Sequence, residues 1–86
     1  MEPKREILPL LRELIDKELG VTLDGNSSPD KIFLLGRGIG IDSVELLRLV
    51  LAIEGRFDII IEDEEITPAN FSTFAAVANL IELKLS

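Results

Sequence analysis

Ser43 is the residue of this chain best placed to take part in chemistry. It follows Gly40-Ile41-Asp42, with Gly36 and Gly38 behind them, so a hydroxyl and a carboxylate meet at the end of a glycine-spaced run. A serine acting as a nucleophile needs a base to take its proton. The sequence holds no histidine and no cysteine, so the usual general base, thiol nucleophile and transition-metal ligands are missing. Ser43 and Asp42 by themselves do not make a hydrolase. Ser43 is therefore expected to be the substrate of another enzyme, and no catalytic residue and no metal site are assigned. The three glycines also invite a nucleotide-binding reading. A dinucleotide fingerprint needs a preceding strand inside a βαβ unit, and a phosphate loop needs Gly-Lys-Ser/Thr; neither is present. A bend with positive backbone angles feeding a helix accounts for the same spacing.

Two roles are open to Ser43 at the start of a helix. It can cap the helix. Asp42 competes for that cap, which leaves the hydroxyl free at a helix N-terminus, where N–H groups and dipole favour a phosphate. The elements that must position it are legible as periods. Ile7, Leu10, Leu11, Leu14, Ile15 and Leu19 recur at three- and four-residue steps, a helix begun near Pro3 and stopped by Gly20. Pro9 is early enough in the helix to be tolerated, with a delay of its regular part by up to a turn expected. Residues 21–40 form a long irregular stretch, with turn formers from Asp24 to Pro29 and the apolar Ile32, Phe33, Leu34 and Leu35 holding it to the core. From Asp42 to Phe57 the pattern is helical again, with Leu46, Leu49, Val50, Ile53 and Phe57 in one sector. Val44, Leu47 and Leu51 fall nearly opposite, either as an exposed contact surface or as extra packing against the long loop.

Ile59-Ile60-Ile61 reads as a hydrophobic connector, because no second strand exists to pair with it. Glu62 to Glu65 suit the first turn of a short helix, which Thr67-Pro68 interrupts. Ser72 or Thr73 caps a last helix with Phe74, Val77, Ala78, Ile81 and Leu85 on one face. The expectation is an all-α four-helix domain over residues 1–86, with three main helices, one short one and a long first loop.

Composition narrows the partners. The 86 residues are 47% hydrophobic, enough for one core, and carry a net charge of −7. Residues 42–86 hold nine acids against three bases, so the second half is the more acidic face. Such a surface disfavours nucleic acid, which needs lysine and arginine to replace counterions, and suits partners with basic patches. The acids at 62–65 read as a solvated face or a weak divalent-cation site, without the alternating pattern of a calcium loop. The first twenty residues contain no uninterrupted apolar run, so neither signal peptide nor membrane span is expected and the cytoplasm is the expected compartment.

Gly40-Ile41-Asp42-Ser43-Val44 resembles the Gly-x-Asp-Ser-Leu/Val signature of acyl carrier proteins, in which the serine receives 4′-phosphopantetheine from coenzyme A. Gly40, Asp42 and Val44 carry the motif around Ser43. The likeness continues through Phe57-Asp58-Ile59-Ile60-Ile61, the acids at 62–65 and Ile66-Thr67-Pro68-Ala69-Asn70-Phe71, and so spans nearly the whole chain. It implies an acyl-carrier-type bundle that is not itself an enzyme and holds acyl groups as thioesters on a covalent 4′-phosphopantetheine arm at Ser43, for fatty-acid, polyketide or related lipid biosynthesis. The arm would supply the thiol the chain lacks. The implied partners of this monomer are a phosphopantetheinyl transferase and acyl-transferring or synthase enzymes, docking on Val44, Leu47, Arg48 and Leu51. Helix two in fatty-acid-synthesis carriers tends to be strongly acidic; here Arg48 and Arg56 interrupt it and Gly55 weakens its last turn. Those departures favour a specialised carrier, polyketide-like or lipid-modifying. An aminoacyl or peptidyl carrier, and an unmodified helical module with Ser43 as a cap, remain the alternatives.

Overall fold

The computed structural model describes residues 3–20, 31–35 and 40–86, with side chains from Ile7 onward. Four helices run through them: α1 (Pro3–Leu19), α2 (Ser43–Phe57), the single turn α3 (Pro68–Phe71) and α4 (Phe74–Leu85). Among the described residues there is no strand, only one isolated antiparallel bridge between Phe33 and Thr73. The all-α expectation of three long helices and one short one holds. The turn formers at 24–29, Gly36 and Gly38 lie outside the described residues.

α1 packs on both α2 and α4, and α3 packs on α4. The amphipathic period explains the arrangement: Ile7, Leu11, Leu14 and Ile15 of α1, Leu49, Val50 and Ile53 of α2, and Phe74, Val77, Ala78 and Ile81 of α4 are all buried together. Leu46 and Phe57 are only partly buried against this cluster. Every buried side chain among the described residues is apolar. Ile32 and Leu34 join the core from the segment before α2, while Phe33 between them stays exposed. Gly20, with φ 68°, ends α1 as its N–H donates to the Asp16 carbonyl at 2.9 Å.

Four local expectations are corrected. Pro9 does not delay α1, which runs through it unbroken. The ring is exposed on the solvent side, so the one missing N–H costs less than the buried face gains. Thr67-Pro68 does not interrupt a helix begun at Glu62. It starts α3, with Thr67 Oγ1 accepting from the Asn70 N–H at 3.2 Å and Pro68 at the first helical position. The acids instead close a separate 3₁₀ turn, Asp63–Glu65, in which Glu65 Oε1 accepts from the Glu62 N–H at 2.8 Å. Leu85 shares the apolar face of α4 yet is exposed, because the buried cluster ends at Ile81 and the last turn projects past it; Leu80 is buried instead.

The 3₁₀ turn is tied to the far end of α4 by Lys84 Nζ, 2.6 Å from Glu65 Oε1. The Lys84 ammonium and then the Glu62 N–H hold the Glu65 carboxyl below its ordinary value of 4.5. A lowered folded value stabilises the protein above the unfolded carboxylate range, and that gain is lost as pH falls through the lowered value. Lys84→Met should therefore melt below wild type at neutral pH, with the difference vanishing in acid; melting curves across pH check this. Leu34→Ala, at a side chain with no exposure, should lose about 2–5 kcal/mol in urea denaturation through the cavity it leaves.

Candidate functional site

The site is assembled from the core outward. Thr73 caps α4, its Oγ1 accepting from the Ala76 N–H at 3.0 Å. Beside that cap the segment 32–34 lies antiparallel: the Phe74 N–H donates to the Ile32 carbonyl at 2.9 Å and the Leu34 N–H to the Ser72 carbonyl at 2.8 Å. The Leu34 carbonyl faces the other way and accepts from the Ile41 N–H at 3.0 Å. Ile41 is buried, and Gly40 before it has φ 69°, a left-handed angle that a side chain would make costly. These contacts fix where α2 begins.

α2 begins with reciprocal caps. Asp42 Oδ1 accepts from the Glu45 N–H at 2.8 Å, and Glu45 Oε1 accepts from the Asp42 N–H at 3.1 Å. Asp42 is extended, with φ −90° and ψ −178°, and its carbonyl already accepts from Leu46 at 2.8 Å. Ser43 is therefore the first residue inside the helix rather than its cap. It is exposed, and its hydroxyl has no hydrogen-bond partner among the described residues. Of the two roles open to Ser43, the capping one is taken by Asp42.

The electrostatics refine the phosphate argument. The dipole of α2 favours an anion at this end, but Asp42 and Glu45 already answer it and occupy N–H groups a free phosphate would need. No lysine or arginine of the described residues is hydrogen-bonded into this turn. Among the described residues the turn therefore meets the dipole with its own carboxylates and leaves the Ser43 hydroxyl unengaged. On α2 beyond Ser43, Val44, Leu47 and Leu51 are 62%, 55% and 68% exposed, so they form a surface strip and not extra packing. Arg48 lies within that strip, also exposed. Ser43, Asp42, Gly40, Val44, Leu47, Arg48 and Leu51 therefore form one continuous surface at the start and outer side of α2.

Two contributors escaped the sequence reading. Glu45 carries half of the capping box, and its signal was present as Asp42-x-x-Glu45. Leu34 acts through its peptide groups, which no residue type announces.

A family model described as a phosphopantetheine attachment site matches residues 9–81. An acyl carrier protein of Phaeodactylum tricornutum is 33% identical over 75 residues, covering 84% of this chain and 88% of the relative. An acyl carrier protein of Exiguobacterium sibiricum is 32% identical over 87 aligned positions, covering 95% and 98%. Asp42→Ala should lower stability by about 1 kcal/mol in urea denaturation through the lost cap, and Glu45→Ala by less, since it leaves the Asp42 bond intact.

Proposed function

The chain belongs to the acyl carrier protein family, and on that premise we propose that it carries acyl groups on a 4′-phosphopantetheine arm esterified to Ser43. The observation that supports this most is the exposed Ser43 hydroxyl, without a hydrogen-bond partner among the described residues, at the first position of a helix that Asp42 caps. When bound, the arm supplies the thiol that the chain lacks and on which an acyl group is held as a thioester.

Attachment needs little of the chain beyond presentation. Ser43 Oγ bonds to the phosphorus of the pantetheine phosphate as the pyrophosphate bond of coenzyme A breaks and the adenosine bisphosphate half leaves. The hydroxyl proton goes to a base of the transferase, since this chain has no histidine to take it. Asp42 and Glu45 hold the helix start, and Gly40 supplies the turn that exposes it. Val44, Leu47, Arg48 and Leu51 are the face on which transferase and acyl-processing enzymes dock. We assign the protein to fatty-acid, polyketide or related lipid biosynthesis, in a specialised pathway, and residues 1–86 to one carrier domain acting as a monomer in the cytoplasm. Among the described residues no helix is long and apolar enough to cross a membrane.

Incubation with coenzyme A, magnesium and a broad-specificity phosphopantetheinyl transferase should add one phosphopantetheine, read by intact mass. Ser43→Ala should abolish it, while Ser27, Ser28, Ser72 and Ser86 remain as internal controls. An unchanged mass in wild type, or modification surviving in Ser43→Ala, would sink the assignment.

A further inference from the structure

α2 contains two acids and two bases, Glu45, Glu54, Arg48 and Arg56, so by formal charge it is neutral. Their structural use is lopsided. Glu45 is bonded to the Asp42 N–H, and Glu54 Oε2 accepts from the Ile61 N–H at 2.8 Å, tying the chain beyond α2 back onto the helix. Both carboxylates thus serve the backbone. Arg48 and Arg56 are exposed and have no ion-pair or hydrogen-bond partner among the described residues. In a protein of net charge −7, the helix bearing Ser43 offers its unengaged charge as positive.

Position makes Arg48 the one that matters. It lies four residues from Val44 and three from Leu51, so the three share a face with Leu47 beside them. It is five residues past Ser43, about 7.5 Å further along the axis. A partner that reaches Ser43 and covers this apolar strip also covers the guanidinium. Burying an unpaired charge is costly, and a facing carboxylate offsets that cost with a two-pronged hydrogen bond.

Resting on the carrier reading above, we infer that the enzymes docking on this face present an aspartate or glutamate opposite Arg48, set in an apolar surface that receives Val44, Leu47 and Leu51. Recognition there runs against the protein's overall charge. The negative net charge steers distant encounter, and Arg48 sorts partners at contact, within a Debye length of about 10 Å at 0.1 M salt.

The test uses the holo chain, prepared with coenzyme A and a transferase and checked by mass, against two carrier-dependent ketosynthases. One has a basic docking surface and the other an acidic one. Association rates are measured for wild type, Arg48→Glu and Lys17→Glu, the last making the same change in net charge from an exposed position on α1. Arg48→Glu should speed association with the basic enzyme and slow it with the acidic one, each roughly three- to tenfold at low salt, with both effects shrinking as salt rises. Lys17→Glu should move neither rate comparably. Equal rates for wild type and Arg48→Glu, or equal effects of the two substitutions, overturn the inference while leaving the carrier assignment standing. A chain that takes no phosphopantetheine overturns both, and does so at the mass measurement, before any docking is read.

Discussion

Leu34 is the point through which the described structure is joined. Its side chain is wholly buried in the core, its N–H is bonded to the Ser72 carbonyl before α4, and its carbonyl is bonded to Ile41 before α2. One residue, through the two peptide groups that flank it, therefore holds the starts of two helices in a fixed relation. Because buried backbone groups left unpaired are costly, the segment cannot shift along α4 without breaking its bonds on both sides. The position of Ser43 follows: Ile41 is anchored, Gly40 turns the chain, Asp42 caps, and the next residue is presented outward. The hydroxyl is exposed and has no hydrogen-bond partner among the described residues, yet the core decides where it stands.

Helix-level information was readable because burial imposes a period on the sequence. The stripes of α1, α2 and α4 were visible as such, and so was the outward strip Val44, Leu47 and Leu51. What failed was punctuation. Pro9 and Pro68 are the same residue type with different consequences: Pro9 is tolerated, as its early position implies, but without the expected delay, and Pro68 starts a helix where an interruption was expected. Leu85 has the right phase but lies past the end of the packed region, a limit set by helix lengths in three dimensions. At the site, Asp42 and Ser43 were legible by type and order, and Glu45 was legible but passed over. The pairing of 32–34 with 72–74 was not legible at all, because backbone hydrogen bonds of a single bridge leave no pattern in side-chain chemistry.

Charge in this protein divides between structure and surface in a way that counting does not reveal. Glu45, Glu54 and Glu65 each accept a backbone N–H, and Glu65 also takes Lys84. These acids close helix ends and turns, which is where small helical proteins leave polar groups in want of partners. The arginines of α2 close nothing. A helix can thus be neutral in formula and positive in what it offers to another surface.

The hydrogen bond between Leu34 and Ser72 also has a kinetic meaning. It joins residues about 38 apart in the chain, so its loop-closure cost falls late among the contacts that build this fold, after the local turns of α1 and α2 can form. During synthesis from the N-terminus, Ser43 leaves the ribosome well before Ser72 and Phe74, the residues that fix its surroundings. Until those arrive, α2 has its own cap but no anchored approach. The serine is thus translated early and oriented late, and a chain interrupted between the two would carry the whole signature without the shape that presents it.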